Sequence, residues 1–159
     1  MNPAPRIFWY PLQKRYILFT PDILAHIYEY QQKWPWSREA GGELFTPDPE
    51  ADGLVIVAAS GPSRKDTRKR YYFNQDPQTA TRERERQYKQ GLHAVGLWHT
   101  HPQQNPTPSW QDKKTAKQYF DDFEGARNRY LLVVMGKNEP APNMSVWSIE
   151  TKGWVELIE

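Results

Sequence analysis

A mixed α/β chain of α+β type is predicted by two patterns. Apolar or β-branched runs of strand length recur throughout, and three longer stretches carry apolar residues at helical spacing. The clearest strands are residues 54–59, 71–73, 92–101, 130–135, 144–149 and 154–158, and the helices are 20–34, 76–90 and 109–123.

In chain order, Ile7-Phe8-Trp9-Tyr10 and Tyr16-Ile17-Leu18-Phe19 are separated by Pro11 and read as strands or a hairpin at a sheet edge. Thr20-Pro21-Asp22 is a helix start, with threonine as N-cap and proline at the first position. Ile23, Leu24, Ile27, Tyr30 and Gln31 form a stripe that runs to Trp34-Pro35, where proline ends the helix. His26 on this helix reads as an ordinary, partly exposed histidine. The segment from Ser37 to Phe45 enters a strand through Gly41-Gly42, glycines that allow close backbone approach between strands or by a substrate chain. Residues 54–59 are an apolar strand. The basic run from Arg64 to Arg70 reads as a solvated loop, with nucleic-acid contact and protein docking as the sharper readings. Asp76-Pro77 opens an exposed helix in which Glu85 and Lys89 form a favourable i,i+4 pair. The closing segments form a buried strand and then a hairpin around Lys152-Gly153. No repeat or linker interrupts the chain, so a single domain over residues 1–159 is expected.

Composition narrows the classes of function. With 159 residues and 14% aromatics, including seven tryptophans, the chain can bury a core without cross-links. It contains no cysteine, which excludes a disulfide framework and a thiolate metal site. A net charge of +2 does not announce a nucleic-acid partner. No apolar run approaches the roughly 18 residues of a membrane span, and residues 1–16 lack the apolar core of a signal peptide. A soluble, cytoplasmic protein is expected.

The chemistry concentrates between Gly96 and Asp112. His99 and His101 close an apolar run (Leu92, Ala94, Val95, Leu97, Trp98), and strand alternation points both imidazoles one way and Thr100 the other. Pro102 ends the strand. After a proline-rich loop, Ser109 opens an amphipathic helix carrying Asp112 in its first turn. Two imidazoles and a carboxylate suit a zinc ion with one open position. The simpler readings stand beside this one: paired histidines at a strand end are often polar edge residues, and Ser109-x-x-Asp112 is also a capping box. The two roles of Ser109 are compatible. His93 lies six residues from His99, about 20 Å along a strand, and is not expected to join them.

His99-Thr100-His101-Pro102, six residues, then Ser109-x-x-Asp112 resembles the signature of the JAMM (MPN-plus, JAB) zinc metalloproteases at every defining position. The resemblance extends over about residues 15–158, although only the signature is sharp. It implies a cytidine-deaminase-like JAMM/MPN fold, a curved mixed β-sheet flanked by helices. It also implies Zn2+ held by His99, His101 and Asp112, Ser109 as oxyanion donor, and an upstream glutamate as general base. Strand alternation does not separate Glu39 from Glu43, since positions four apart share a face. The family register, an acid three residues before a glycine, selects Glu39. The chain is similar to compact prokaryotic members, some of which accompany activating-enzyme, conjugating-enzyme and ubiquitin-like partners in bacterial conjugation or antiphage systems. The expected activity is deubiquitinase-like: hydrolysis of the amide after the C-terminal glycine of a ubiquitin-like protein, by deconjugation or precursor processing. No membrane or nucleic-acid partner is expected. A non-catalytic MPN scaffold and a DNA-associated superfamily member are the alternatives; the latter typically carry Ser-Gly where this chain has Gln103-Gln104.

Overall fold

The computed structural model describes residues 2–159. The elements are β1 (Arg6–Trp9), β2 (Tyr16–Phe19), α1 (Pro21–Tyr28), β3 (Gly41–Thr46), β4 (Gly53–Ile56), β5 (Ala58–Ala59), β6 (Thr67–Lys69), β7 (Tyr72–Asn74), α2 (Pro77–Lys89), β8 (His93–Thr100), α3 (Trp110–Asp122), β9 (Arg129–Met135), β10 (Met144–Glu150) and β11 (Gly153–Glu156). The main sheet has the order β11-β10-β9-β8-β3-β5 and is mixed, because β8 and β9 run parallel while their neighbours are antiparallel. A second sheet, β1-β2-β4, and the hairpin β6–β7 complete the β-structure.

The central strands are buried on both faces, which explains their nearly unbroken apolar runs. Alternation divides those runs between two cores. Trp98, Leu131 and Val133 pack with Ile17, Phe19, Leu24 and Ile27, toward the small sheet and α1. Leu97, Leu132 and Val134 pack with Ala116 of α3. Because His99 and His101 continue the alternation of Leu97, they face α3, while Thr100 continues that of Trp98. No helix among the described residues is long and apolar enough to cross a membrane.

Several expectations are corrected by tertiary contacts. The strand expected over 54–59 breaks at Val57: Ile56 pairs with Phe19 in the small sheet, whereas Ala58 pairs with Phe45 in the main one. The first hairpin does lie at a sheet edge, that of the small sheet, where β1 is the outer strand. The first helix stops at Tyr28, short of Trp34, and the fully buried Gln32 turns inward to donate to the carbonyls of Ser37 and Arg70. Thr20 is at the cap position, but its hydroxyl donates to the Ile56 carbonyl and caps no helical N–H. The basic run is half hairpin, since Thr67–Lys69 pairs with Tyr72–Asn74. His26 is partly exposed, as expected, with Nε2 2.7 Å from the Gly61 carbonyl.

The second helix is not simply exposed. Asp76 caps it by accepting from Thr79 N, and Glu83 pairs with Arg86 in place of the expected Glu85–Lys89 contact. Arg84 reaches into the fold to meet Glu43, whose side chain is fully buried, at 2.7 Å. Burial pushes the Glu43 carboxyl up to about 7 against the pull of the Arg84 guanidinium. An acid raised in the folded state binds more protons than in the unfolded chain, so its contribution to stability falls as pH rises from about 4.5 to about 7. We therefore predict that Glu43→Gln removes a stability loss on the order of 3 kcal/mol across that window. Urea unfolding at pH 5 and pH 8 checks this; parallel losses in both proteins would contradict it.

Candidate metal and catalytic site

Three segments meet at the carboxyl end of β8. The strand closes at Thr100, and His101 N still donates to the Met135 carbonyl at 2.9 Å, which holds the second histidine in line with the first. The chain then loops to Ser109, the N-cap of α3. Ser109 Oγ accepts from Asp112 N at 3.0 Å, and Asp112 Oδ2 accepts from Ser109 N at 2.9 Å, a complete capping box. The cap fixes the carboxylate against both imidazoles: His99 Nδ1 lies 3.2 Å from Asp112 Oδ1 and His101 Nε2 lies 3.0 Å from Asp112 Oδ2. The capping-box reading of Ser109-x-x-Asp112 is met, and the same arrangement turns the carboxylate toward both histidines.

Glu39 joins this group from the segment just before β3. Its Oε1 is 3.4 Å from His101 Nε2, whereas Glu43 is paired to Arg84 elsewhere on the same face of the sheet. The antiparallel register sets Gly41 opposite His99, so two residues upstream the chain passes beside His101. Side chains not singled out in the sequence hold it there. Ala40 N donates to Thr100 Oγ1 at 2.9 Å, Thr100 N donates to the Ala40 carbonyl at 2.9 Å, and Thr100 Oγ1 donates to Gln32 Oε1 at 3.1 Å. Arg68 Nε donates to the Glu39 carbonyl at 2.8 Å. The available signal was a polar residue between the histidines, facing the other core.

Burial is the largest single influence on each shifted group of the site, but it decides the direction only at Glu39. It pushes the Glu39 carboxyl up to about 7, opposed by His101 and reinforced by the neighbouring Asp112. Burial also acts to raise Asp112, but the bonds from His101 and His99 and from Ser109 N outweigh it and hold the carboxyl well below the usual carboxylate range. Burial acts to lower His101, yet Asp112 and Glu39 beside the ring leave it raised.

Glu39, His99, His101, Ser109 and Asp112 all line one cavity of about 310 Å³. Its opposite wall is the hairpin, through Tyr71, Tyr72, Phe73 and Asn74. Phe73 packs edge-on against the His99 ring, 5.4 Å between centroids. Gly41 and Gly42 do not line the cavity; the close approach they permit is internal. A Cβ on Gly41 would lie 2.6 Å from the Trp98 carbonyl and 2.7 Å from Phe73, and one on Gly42 would lie 1.9 Å from the Ser60 carbonyl. Of the two uses the sequence left open for these glycines, close approach of the protein's own strands and hairpin is the one seen, and a substrate chain has no room there.

The donor types suit zinc, and the spacing is close to what it needs. Donors about 2.0–2.1 Å from a tetrahedral centre lie roughly 3.3 Å apart, and the two imidazole–carboxylate separations are 3.2 and 3.0 Å. As they stand, no three acids or histidines among the described residues surround a single point suited to an ion. Asp112 gives one oxygen to each ring, so the donors are neighbours without a common centre.

A family described as prokaryotic homologs of the JAB domain matches residues 20–150. No curated protein is significantly similar in sequence. Among solved structures, a protein from Desulfitobacterium hafniense has a TM-score of 0.58 at 20% identity, over 85% of this chain and 82% of that one. A protein from Salinibacter ruber (strain DSM 13855) has a TM-score of 0.49 at 22% identity, over 86% and 85%. The Desulfitobacterium likeness supports the fold, and the mixed sheet with three helices is that of a JAB/MPN-type domain. With most of its length matched, the chain belongs to the prokaryotic JAB-domain family.

Proposed function

We propose that this protein is a zinc-dependent isopeptidase or peptidase that hydrolyses the amide bond after the C-terminal glycine of a ubiquitin-like protein. The observation that carries the reading is the convergence of Glu39, His99, His101 and Asp112 at 3.0–3.4 Å in one cavity. His99, His101 and Asp112 are the residues that would hold zinc, which when bound supplies Lewis acidity toward water and the scissile carbonyl.

The remaining work falls to the chain's own groups. Among the described residues Glu39 forms no ion pair except with His101, which its carboxylate faces inside the cavity. It accepts the proton of the attacking water and returns it to the departing amine, acting as base and then acid. Proton return matters because an unprotonated amine is a poor leaving group. Ser109 Oγ accepts the Asp112 N–H, which leaves its own proton free for the developing oxyanion. The aromatic wall of the hairpin limits water access and confines the scissile segment to a slot beside α3. The ubiquitin-like substrate follows from the family resemblance, and activating and conjugating enzymes are the partners that would make such a conjugate.

Purified protein is expected to carry about one zinc per chain, as the three-ligand catalytic pattern requires. His99→Ala combined with His101→Ala should abolish it; elemental analysis finding full zinc in the double variant would rule out this ligand set.

A second prediction separates the two acids. Glu39→Gln should keep its zinc and lose about 100- to 10,000-fold in kcat, whereas Glu43→Gln should turn over a cleavable conjugate near the parent rate. Ser109→Ala should lose about 100- to 1000-fold. Retained turnover in Glu39→Gln with loss in Glu43→Gln would transfer the base to Glu43.

A further inference from the structure

A basic and aromatic ridge adjoins the site. Residues 33–38 and 63–72 contain seven of the chain's 21 basic side chains and a single acid, Asp66, so the rest of the chain, with 14 basic residues and 18 acids, is net negative. Asp66 is turned inward, its oxygens accepting from Ser63 N and Asp76 N. Arg68 donates to the Glu39 carbonyl, and Arg70 donates to backbone carbonyls within the ridge. The other five cations, Lys33, Arg38, Arg64, Lys65 and Lys69, are exposed and form no ion pair among the described residues. Amid them, Trp34 and Trp36 stack at 5.7 Å and 6°, yet remain 58% and 75% exposed. Tyr71 is 76% exposed and also lines the catalytic cavity.

The ridge is built rigidly. Arg70 Nη1 donates to the Trp34 and Pro35 carbonyls at 3.0 and 2.7 Å, and its Nε donates to the Tyr71 hydroxyl at 3.1 Å. Glu39 N donates to the Lys69 carbonyl at 2.7 Å, which ties the ridge to the proposed base. Exposing three large aromatics on a pinned surface has no folding benefit, and such patches mark interaction sites.

We infer that this ridge docks the acidic face of a folded protein whose C-terminal tail enters the cavity. The inference rests on the amide-hydrolase reading for the fate of the tail, while the docking is separable from it. Complementary charge and continuity with the cavity through Tyr71 identify this occupant. A nucleic acid fits less well: the two indoles cover each other's inner faces, and the Arg70 guanidinium lies 5.3 Å from the Tyr71 ring centre, so few aromatic faces are open to bases.

The test uses zinc-loaded protein and the variants Trp34→Ala/Trp36→Ala and Lys65→Glu/Lys69→Glu. The substrates are an acidic ubiquitin-like domain with a C-terminal glycyl aminocoumarin amide and the same amide on its five-residue tail. Both variants should raise KM for the folded substrate at least tenfold, leave kcat within twofold, and leave the tail peptide unaffected. Raising the salt concentration should raise the parent KM for the folded substrate and not that of the charge-reversal variant. Equal effects on both substrates, or none, would overturn the inference. If the parent cuts neither substrate, the hydrolase reading fails, and fluorescence anisotropy of the labelled domain decides docking: binding lost in both variants supports the ridge, and no binding to the parent overturns it. Ridge-dependent binding of a thymidine 20-mer without binding of the domain would assign the surface to nucleic acid and also overturn the inference.

Discussion

The Asp112 carboxylate is the point on which the site depends. It closes the capping box of α3, and its two oxygens meet the two histidines at the end of β8. A carboxylate with only 11% of its side chain exposed is costly to keep charged unless it is bonded on every side. Here one backbone N–H and two imidazoles supply those bonds, and Asp112 stays ionised. The same contacts fix the helix start against the strand end, so fold and site are held by one group. His99, His101 and Asp112 are the residues that would hold zinc here, where it would supply Lewis acidity in place of the present imidazole–carboxylate contacts.

The second constraint is the pairing of β3 with β8. The Gly41–His99 register brings Glu39 to the histidines, and Thr100 bolts the segment from the opposite face through Ala40. Gly41 and Gly42 serve that pairing. Their missing side chains admit Phe73, the Trp98 carbonyl and the Ser60 carbonyl, so the hairpin wall sits close enough to cover His99. The cavity is therefore walled by aromatic and polar side chains, not by glycines. Glu43, on the same face, is neutralised by Arg84 and anchors α2. Two acids four residues apart thus have different surroundings.

What was legible in the sequence was local or periodic. The histidine strand, the Ser109 cap, the α2 boundaries and the closing hairpin follow from alternation, cap chemistry and breakers, which act within a few residues. Nonlocal competition was not legible. Val57 breaks an apolar run because its flanks pair with different sheets. A charged stretch at Thr67–Lys69 becomes a strand because Tyr72–Asn74 pairs with it and Glu39 N reaches the Lys69 carbonyl. Strand alternation left Glu39 and Glu43 equivalent; the family register favoured Glu39, and the positions of Arg84 and His101 in space separate the two. Gln32 and Thr100 lay 68 positions apart, with no local pattern to join them.

The central claim is that His99, His101 and Asp112 form one zinc-binding group. X-ray absorption at the zinc edge of metal-loaded protein tests it most directly. The account predicts a first shell of two imidazole nitrogens with oxygen donors at about 2.0–2.1 Å, and a shell that loses one imidazole in His101→Ala. A shell of oxygen donors alone, or an imidazole pair that survives the loss of His101, would contradict it.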